Sequence, residues 1–483
     1  MKIRNYLWVA LSALFLTSCG SDAETSRPLE DYVSSYINVS EDVVAFGKIR
    51  MKDILDKSDY KSNLLLNSII GDQEKKFTPL IKMENSVYYT MSGPMKEDGA
   101  PTKMTFFIEV QDEEGLKAEL KSMGYDLDEK DGISYSGEDD VVIGIRGNLA
   151  IIEVSNKPEN KDILAGFKLA DGDKGKGKVE EILKSKGDVV LGMDLMALYK
   201  SSDGDLADLP ASSKKELEKL TKGSYIETIF QFENGKAIIE TKNHFNSELK
   251  KKMFFTTDSG SMLKKMGSGA GSSPRMGFAL NVDSKKMNAL METISPNMIQ
   301  EMSPEVALGM MMSGASSIDQ AISGKLGVLV FAEPDEYGME TQFSGYLGLE
   351  PKGRKLVEGY VSQLAMIGGG LKADMTKDGV SFSTSEKQGG ALKLPAIAKN
   401  FGKSGMSFFL NLEGLDDTEA VAEMMFMEGG ESILSVSKSI YMEYGNDGGK
   451  LIIEAKKGNE NILKQMLQGG IEAFQGQMSG FAI

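Results

Sequence analysis

The stretch Val43-Val44-Ala45-Phe46-Gly47-Lys48-Ile49-Arg50-Met51-Lys52-Asp53-Ile54-Leu55 reads as an apolar strand, a polar elbow and the start of a short helix. The same order recurs along the chain. Phe106-Phe107-Ile108-Glu109-Val110-Gln111-Asp112 leads into Leu116-Lys117-Ala118-Glu119-Leu120. Asp112 is placed to cap that helix, because its carboxylate can accept from the unpaired amides of the first turn. Val189 to Asp194 precedes Met196-Ala197-Leu198, and further copies begin at Gly277, Gly345 and Ser407. Six elbows in two sets of three predict a duplicated chain.

Two hairpins carry the same message. Lys130-Asp131-Gly132-Ile133-Ser134-Tyr135-Ser136 returns as Lys377-Asp378-Gly379-Val380-Ser381-Phe382-Ser383. Gly235-Lys236-Ala237-Ile238-Ile239-Glu240-Thr241-Lys242 returns as Gly449-Lys450-Leu451-Ile452-Ile453-Glu454-Ala455-Lys456, with six of eight residues identical. Both repeats keep their order along the chain. Ile226, Thr228, Phe230 and Phe232 alternate onto one strand face ahead of Asn234-Gly235, the signal for a type I′ turn. Helices interleaved with hairpins predict an α+β fold: a tandem duplication of an α/β repeat, with largely antiparallel sheets and short helices following strands.

The expected domains are a leader over 1–18, a tether over 19–40, a first repeat over 41–258, a linker over 259–274 and a second repeat over 275–483. The linker is placed where Ser268-Gly269-Ala270-Gly271-Ser272-Ser273-Pro274 collects small residues. Asp171 to Gly177 is a second such run.

The leader is a signal peptide. Lys2 and Arg4 precede the apolar run Tyr6 to Leu16, which is too short for a permanent membrane span. It ends at Leu16-Thr17-Ser18-Cys19, which resembles the lipobox of bacterial lipoproteins. That resemblance implies a diacylglycerol on the Cys19 thiol, cleavage before Cys19 and acylation (palmitate) of the new amino terminus. Cys19 is the sole cysteine, so no disulfide forms within the chain and no thiol is left for catalysis. Loss of residues 1–18 takes Lys2 and Arg4 from 55 basic residues, leaving 53 against 71 acidic ones and a net charge of −18. That balance argues against nucleic acid and against electrostatic attachment to anionic lipid, so the acyl chains must supply the membrane anchorage.

The order of features resembles a Bacteroidetes envelope lipoprotein family of unknown function (domain of unknown function 4836 type). The likeness runs through the lipobox, an early strand from Val43 to Ser58, the strand–helix from Phe106 to Leu116, and the hairpin Lys130 to Gly132. It implies an outer-membrane, lipid-anchored protein at the periplasmic face or the cell surface, and it brings no catalytic residue.

A search for chemistry yields little. No Gly-x-Ser-x-Gly elbow occurs, and His244 is the single histidine. Ser-x-x-Lys appears at Ser58/Lys61, Ser212/Lys215, Ser261/Lys264 and Ser435/Lys438 without a companion Lys-Thr-Gly. Asp203, Asp205 and Asp208 approach calcium-loop spacing, but Ala207 stands at the third ligand position. The mature chain lacks tryptophan; Tyr88-Tyr89 and Phe106-Phe107 are the aromatic pairs left for stacking on a sugar, and as strand residues they read as core. Glu240 and Glu454 repeat at matching positions, and alternation puts them on the solvent face. No catalytic residue, metal site or cofactor is expected.

Methionine is abundant, with 30 in the chain. Met287, Met291 and Met298 share an apolar helix face with Leu290 and Ile294, and Met302, Met310-Met311-Met312, Met424-Met425 and Met427 cluster beyond it. Adaptable core packing is the expectation, with Met291 and Met298 buried; a Met-lined groove and a copper(I) site are the alternatives. The functional expectation is a non-enzymatic binding or assembly scaffold at the outer membrane, meeting an envelope protein or glycan. Its alternative is an envelope hydrolase of glycan or peptide that uses carboxylates alone.

Overall fold

The structure is a computed structural model. It describes residues 27–470 except 41, 83, 96–100, 139, 156–159, 173–176, 202–208, 259, 267–272, 295–311, 336–337, 365–371, 385–391 and 414–430. Two compact units emerge. The first comprises Met1–Asp208, Thr221–Glu233 and Asn461–Leu467, and the second Leu209–Leu220, Asn234–Glu460 and Gln468–Ile483. The fold is α+β, and every pairing described below is antiparallel.

In the first unit the strands are β1 (Val43–Ile49), β2 (Val87–Met95), β3 (Pro101–Glu109), β4 (Asp128–Lys130), β5 (Ile133–Glu138), β6 (Val141–Arg146), β7 (Leu149–Ser155), β8 (Val189–Asp194) and β9 (Tyr225–Glu233). Their spatial order is β4-β5-β6-β7-β3-β2-β1-β8-β9. Its helices are α1 (Leu29–Val39), α2 (Met51–Ser58), α3 (Leu64–Phe77), α4 (Glu113–Ser122), α5 (Asn160–Ala170), α6 (Lys178–Leu183) and α7 (Leu195–Ser201). Helix α8 (Ala211–Thr221) lies between β8 and β9 in sequence.

Both faces of this sheet are covered, which is why β1, β6 and β7 read as mainly apolar runs, interrupted by Lys48 in β1 and Glu153 in β7. Successive strand residues point to opposite faces. Phe106 accordingly joins one core with Leu55, Phe77 and Leu116, while Phe107 joins the other with Val33, Ile163 and Phe167. The first of these cores draws on α2, α3 and α4, and the second on α1, α5 and α6.

In the second unit the strands are β10 (Lys236–His244), β11 (Met276–Asn281), β12 (Ile322–Asp335), β13 (Gly338–Leu349), β14 (Lys372–Thr376), β15 (Gly379–Ser383), β16 (Met406–Asn411), β17 (Ser437–Gly445) and β18 (Gly448–Ala455). Their order is β14-β15-β13-β12-β11-β16-β17-β18-β10. The helices are α9 (Ser247–Lys252), α10 (Ser261–Lys265), α11 (Ser284–Ile294), α12 (Ile318–Ala321), α13 (Pro351–Leu364) and α14 (Glu431–Val436).

The elbows form as expected at five places: α2, α4, α7, α11 and α13 each follow their strand. The sixth, after Leu412, runs into residues outside the described ones. Asp112 caps α4, accepting from Gly115 N at 2.9 Å. Asp194 does the same for α7 through Met196 N and Ala197 N, and Asp283 for α11 through Lys285 N and Lys286 N. In four elbow strands a glycine lies directly opposite an aromatic residue: Gly47 against Tyr89, Gly192 against Phe46, Gly277 against Phe409 and Gly345 against Phe382. A Cβ on Gly192 would sit 2.7 Å from the Phe46 ring, and one on Gly277 would sit 2.3 Å from the Phe409 ring.

Several expectations are corrected. Residues 19–40 do not form a tether throughout, because 29–39 are helix α1, which buries Leu29, Val33, Tyr36 and Ile37. Arg27 locks its start: its guanidinium donates to Ala170 O, at the C-terminal end of α5, and to Gly172 O just beyond it, both at 3.0 Å, and lies over the Tyr32 ring. A cation suits the carbonyl-rich end of a helix.

The linker over 259–274 is likewise not free chain where it is described. Helix α10 carries Met262 into the core of the second unit, and Met266 follows it there, at 0% and 1% exposure. The division of units falls between β9 and β10 rather than at 258–275, because β10 pairs with β18.

Turn chemistry also departs from expectation. Asp131 and Gly132 both have positive φ, 55° and 72°, so the type I′ turn forms there, between Lys130 and Ile133. In the matching segment Thr376 pairs with Gly379, which moves the turn one residue earlier, to Lys377-Asp378. Tyr346 OH and Leu349 N both donate to Asp378 O and hold it in that place. At Asn234-Gly235 only Gly235 has positive φ, 70°, so the expected type I′ turn does not form. On β9 it is Glu227 and Ile229 that are buried, while Ile226, Thr228, Phe230 and Phe232 are half-buried.

Candidate functional site

A cleft of about 460 Å³ opens in the second unit beside the turn between β17 and β18. Gly445 pairs with Gly448, leaving Asn446-Asp447 as the turn. The Asn446 side chain then behaves as a piece of strand. Its Nδ2 donates to Phe255 O at 2.9 Å, and Phe255 N donates to its Oδ1 at 3.0 Å. From the other side Asn243 N donates to Asp447 O, and Asn243 Nδ2 donates to Asn446 O. Tyr444 OH donates to Asn243 Oδ1 at 2.9 Å, and the Tyr444 ring meets Phe255 edge-on at 5.6 Å.

Glycines let these walls close. A Cβ on Gly405 would lie 2.5 Å from Phe255, and one on Gly448 would lie 1.9 Å from Thr241 O. Charge lines the rim. Glu443 accepts from Tyr441 OH at 2.8 Å, and Lys450 Nζ lies 3.1 Å from Glu240. Burial, reinforced by Glu443, pushes the Tyr441 hydroxyl well above its usual range. Chemically the cleft offers two aromatic edges, a carboxylate, an ammonium and a fixed backbone turn. Its shape is fixed by contacts within the chain itself.

The first unit has a smaller groove of about 300 Å³ between the end of α1 and α7, lined by Ile37, Phe46, Asp194, Lys200 and Tyr225. Burial, with Asp194 beside it, pushes the Tyr225 hydroxyl up to about 12.

Beneath the helices of that unit runs a buried polar row. Thr90, Thr105 and Glu153 stand directly opposite one another on β2, β3 and β7. Glu153 is 3% exposed, and its carboxylate lies 3.8 Å from Lys103 Nζ. Burial raises the Glu153 carboxyl, and Lys103 only partly offsets this. Burial alone would lower Lys103, but the neighbouring Tyr36 and Glu153 outweigh it and leave the ammonium raised. Among the described residues no group of three or more His, Cys, Asp or Glu is arranged to hold a metal ion.

The residues singled out from the sequence scatter. Leu16, Thr17, Ser18 and Cys19 lie outside the described residues, as do Asp203, Asp205 and Asp208, and also Met298, Met302, Met310, Met311, Met424, Met425 and Met427. His244 is the last residue of β10 and half-buried. Ser58 donates to Leu55 O while Lys61 pairs with Glu74, so the pair is not assembled. Ser261 donates to Asp258. Tyr88, Tyr89, Phe106 and Phe107 are core. Glu240 and Glu454 are half-exposed; Glu454 accepts from Ser439 Oγ at 2.6 Å.

Methionine needs a correction as well. Met291 and Met287 are only half-buried on α11, where Leu290 fills the core, and Met312 is exposed.

The residues missed are Asn243, Asn446 and Asp258. Asp258 accepts from Gly260 N, Met262 N, Ser261 Oγ and Lys325 Nζ, and so seats α10. A signal existed in Asp258 preceding Gly260-Ser261, a capping carboxylate ahead of a short helix.

No family model matches the chain, and no curated protein matches it. Among solved structures, crystal form I of TP0453 is similar with a TM-score of 0.28 at 12% identity, over 46% of this chain and 80% of that one. Crystal form III gives 0.29 at 11% identity, over 49% and 90%. Likeness this slight carries no argument about fold or function. Among the described residues no helix is long and apolar enough to cross a membrane.

Proposed function

We propose that this chain is a non-enzymatic envelope lipoprotein, anchored at the outer membrane through acyl chains on Cys19, that serves as a binding or assembly scaffold. Its two halves are tandem α+β repeats of the Bacteroidetes family that the sequence resembles. The anchor rests on the apolar leader ending at Leu16-Thr17-Ser18-Cys19.

The duplication is supported by the strand orders. With the β6-β7 hairpin set aside, β4-β5-β3-β2-β1-β8-β9 and β14-β15-β13-β12-β11-β16-β17 follow the same sequence of roles. The β6-β7 hairpin is then an insertion in the first copy.

The observation that carries the binding role is the prebuilt cleft at Asn446-Asp447, whose walls are tied by side-chain amides acting as backbone. The partner is an envelope protein or glycan. The test is capture from detergent-solubilised membranes through a C-terminal tag, comparing wild type with Asp447→Lys at the exposed turn tip and with Lys121→Glu on α4. Loss of the captured component with Asp447→Lys alone supports the cleft. Equal capture by all three rejects it.

A carboxylate-only envelope hydrolase is the second reading, and Glu153, buried and raised on the β6-β7 hairpin, favours it. New reducing ends or amines from envelope glycan or peptide, abolished by Glu153→Gln, would replace the scaffold reading.

A further inference from the structure

The ladder between β10 and β18 pairs each strand with a near copy of itself. Its register is Lys236 opposite Glu454, Ala237 opposite Ile453, Ile238 opposite Ile452, Ile239 opposite Leu451, and Glu240 opposite Lys450. The sequence repeat makes Lys236 equivalent to Lys450, Ile238 to Ile452, and Glu240 to Glu454. The pairing is therefore reciprocal. Lysine of one strand faces glutamate of the other at both ends, and the equivalent isoleucines face each other in the middle. That is the pattern of a two-fold, self-complementary interface, in which residue i meets j and j meets i.

A chance pairing of two similar strands would not centre on equivalent residues. Sliding the register by one would put every side chain on the wrong face. Sliding it by two would place Lys236 opposite Ile452 and Ile238 opposite Lys450. Only the observed register brings both charge crosses together.

We infer that the β10–β18 ladder is an isologous strand interface held within one chain, and that the partner β10 is built to take is another copy of its own sequence. In an antiparallel β10–β10 pair centred on Ile238, Lys236 of one copy faces Glu240 of the other, twice. A second copy of this chain thus satisfies the same edge that β18 occupies. The inference rests on the register and sequence of this ladder and not on the binding role proposed above.

Gly448 offers the means to test it. Its φ is 129°, and a Cβ there meets Thr241 O, so Gly448→Val unseats the start of β18 from β10. The mature full chain carrying Gly448→Val is expected to form a concentration-dependent dimer by sedimentation equilibrium. Adding Lys236→Glu weakens that dimer, by roughly two- to fivefold for each charge cross. Adding Glu240→Lys to that variant restores it, because both crosses re-form with inverted sign. A folded Gly448→Val protein that stays monomeric, or a dimer that Glu240→Lys leaves weakened, overturns the inference.

If Gly448→Val does not fold, the otherwise native chain decides. Lys236→Glu and Glu240→Lys should lower the unfolding equilibrium to a similar extent. Glu454→Lys and Lys450→Glu should each rescue their own cross. Rescue at one cross and not at the other overturns the two-fold reading.

Discussion

Ile238 of β10 stands directly opposite Ile452 of β18, and the two are also the equivalent residues of the repeated Gly-Lys-x-Ile-Ile-Glu-x-Lys segment. A pair that is equivalent in sequence and opposed in space marks a local two-fold axis. Cross-strand neighbours are the unit of sheet stabilisation, so the identities of eight residues here fix register and partner together.

The glycines of the elbow strands make room for rings. Gly192→Val pushes a side chain into Phe46, whose Cζ lies 2.7 Å from the position of a Cβ. We expect a loss of about 1–3 kcal/mol in urea unfolding. Combining it with Phe46→Leu should recover part of that loss, since the two substitutions meet at one spot.

Asp112→Ala removes the acceptor for Gly115 N at the start of α4. A lost N-cap costs about 1 kcal/mol. Asp112→Asn should retain most of the stability because its carbonyl oxygen still accepts; circular dichroism melts of the three proteins check this.

Methionine substitutions should separate by burial rather than by clustering. Met262→Ala empties a fully buried site and should cost roughly 2–5 kcal/mol. Met291→Ala, on a half-buried face, should cost under about 1.5 kcal/mol, and Met291 should be oxidised by dilute peroxide in the folded protein well before Met262.

Asp258 predicts acid sensitivity. Its burial alone would raise the carboxyl, but Lys325, Ser261 and the Met262 amide outweigh it and hold the group at about 2, below the ordinary 3.8. The charged form is favoured by folding, so its contribution is full above about pH 4 and is lost as the pH falls towards 2. Integrated, that is on the order of 2 kcal/mol. Asp258→Asn should be less stable than wild type at pH 7, and its stability should fall less steeply between pH 4 and 2, as read from denaturant midpoints.

Anchoring is tested at Cys19. Cys19→Ala should move the protein from the membrane fraction to the soluble periplasm, and a variant still in membranes after a high-salt wash would place the attachment elsewhere.

What the sequence disclosed was local or repeated. Phe106-Phe107 read as strand because β-branched and aromatic residues run together there, and Asp112 read as a cap because the capping bond spans three residues. The β10–β18 likeness was visible because it is written twice. Helix α1 was overlooked although Leu29, Val33, Tyr36 and Ile37 keep helical spacing, since acids and serines between them gave the segment the look of a tether. Met262 and Met266 were hidden by neighbouring serines and glycines; their burial depends on Phe331, Tyr346 and Phe409, which lie 65 or more residues further along. Glu153 sits inside the apolar run of β7, and nothing beside it in sequence names Lys103 as its partner.

The lock at Arg27 sets a length. Seven residues separate it from Cys19, and the eight Cα-to-Cα steps between the two span at most about 29 Å when fully extended. With Cys19 acylated, as proposed, the Arg27 guanidinium on the carbonyls of Ala170 and Gly172 is the described contact nearest the lipid in sequence. Repulsion between anionic headgroups and a chain cleaved before Cys19, which would carry a net charge of −18, fades beyond about 8 Å at physiological salt. The extended span would hold Arg27 within about 3 nm of an anchor at Cys19. Lengthening it by inserted residues would enlarge the set of envelope components within reach without altering a single binding contact.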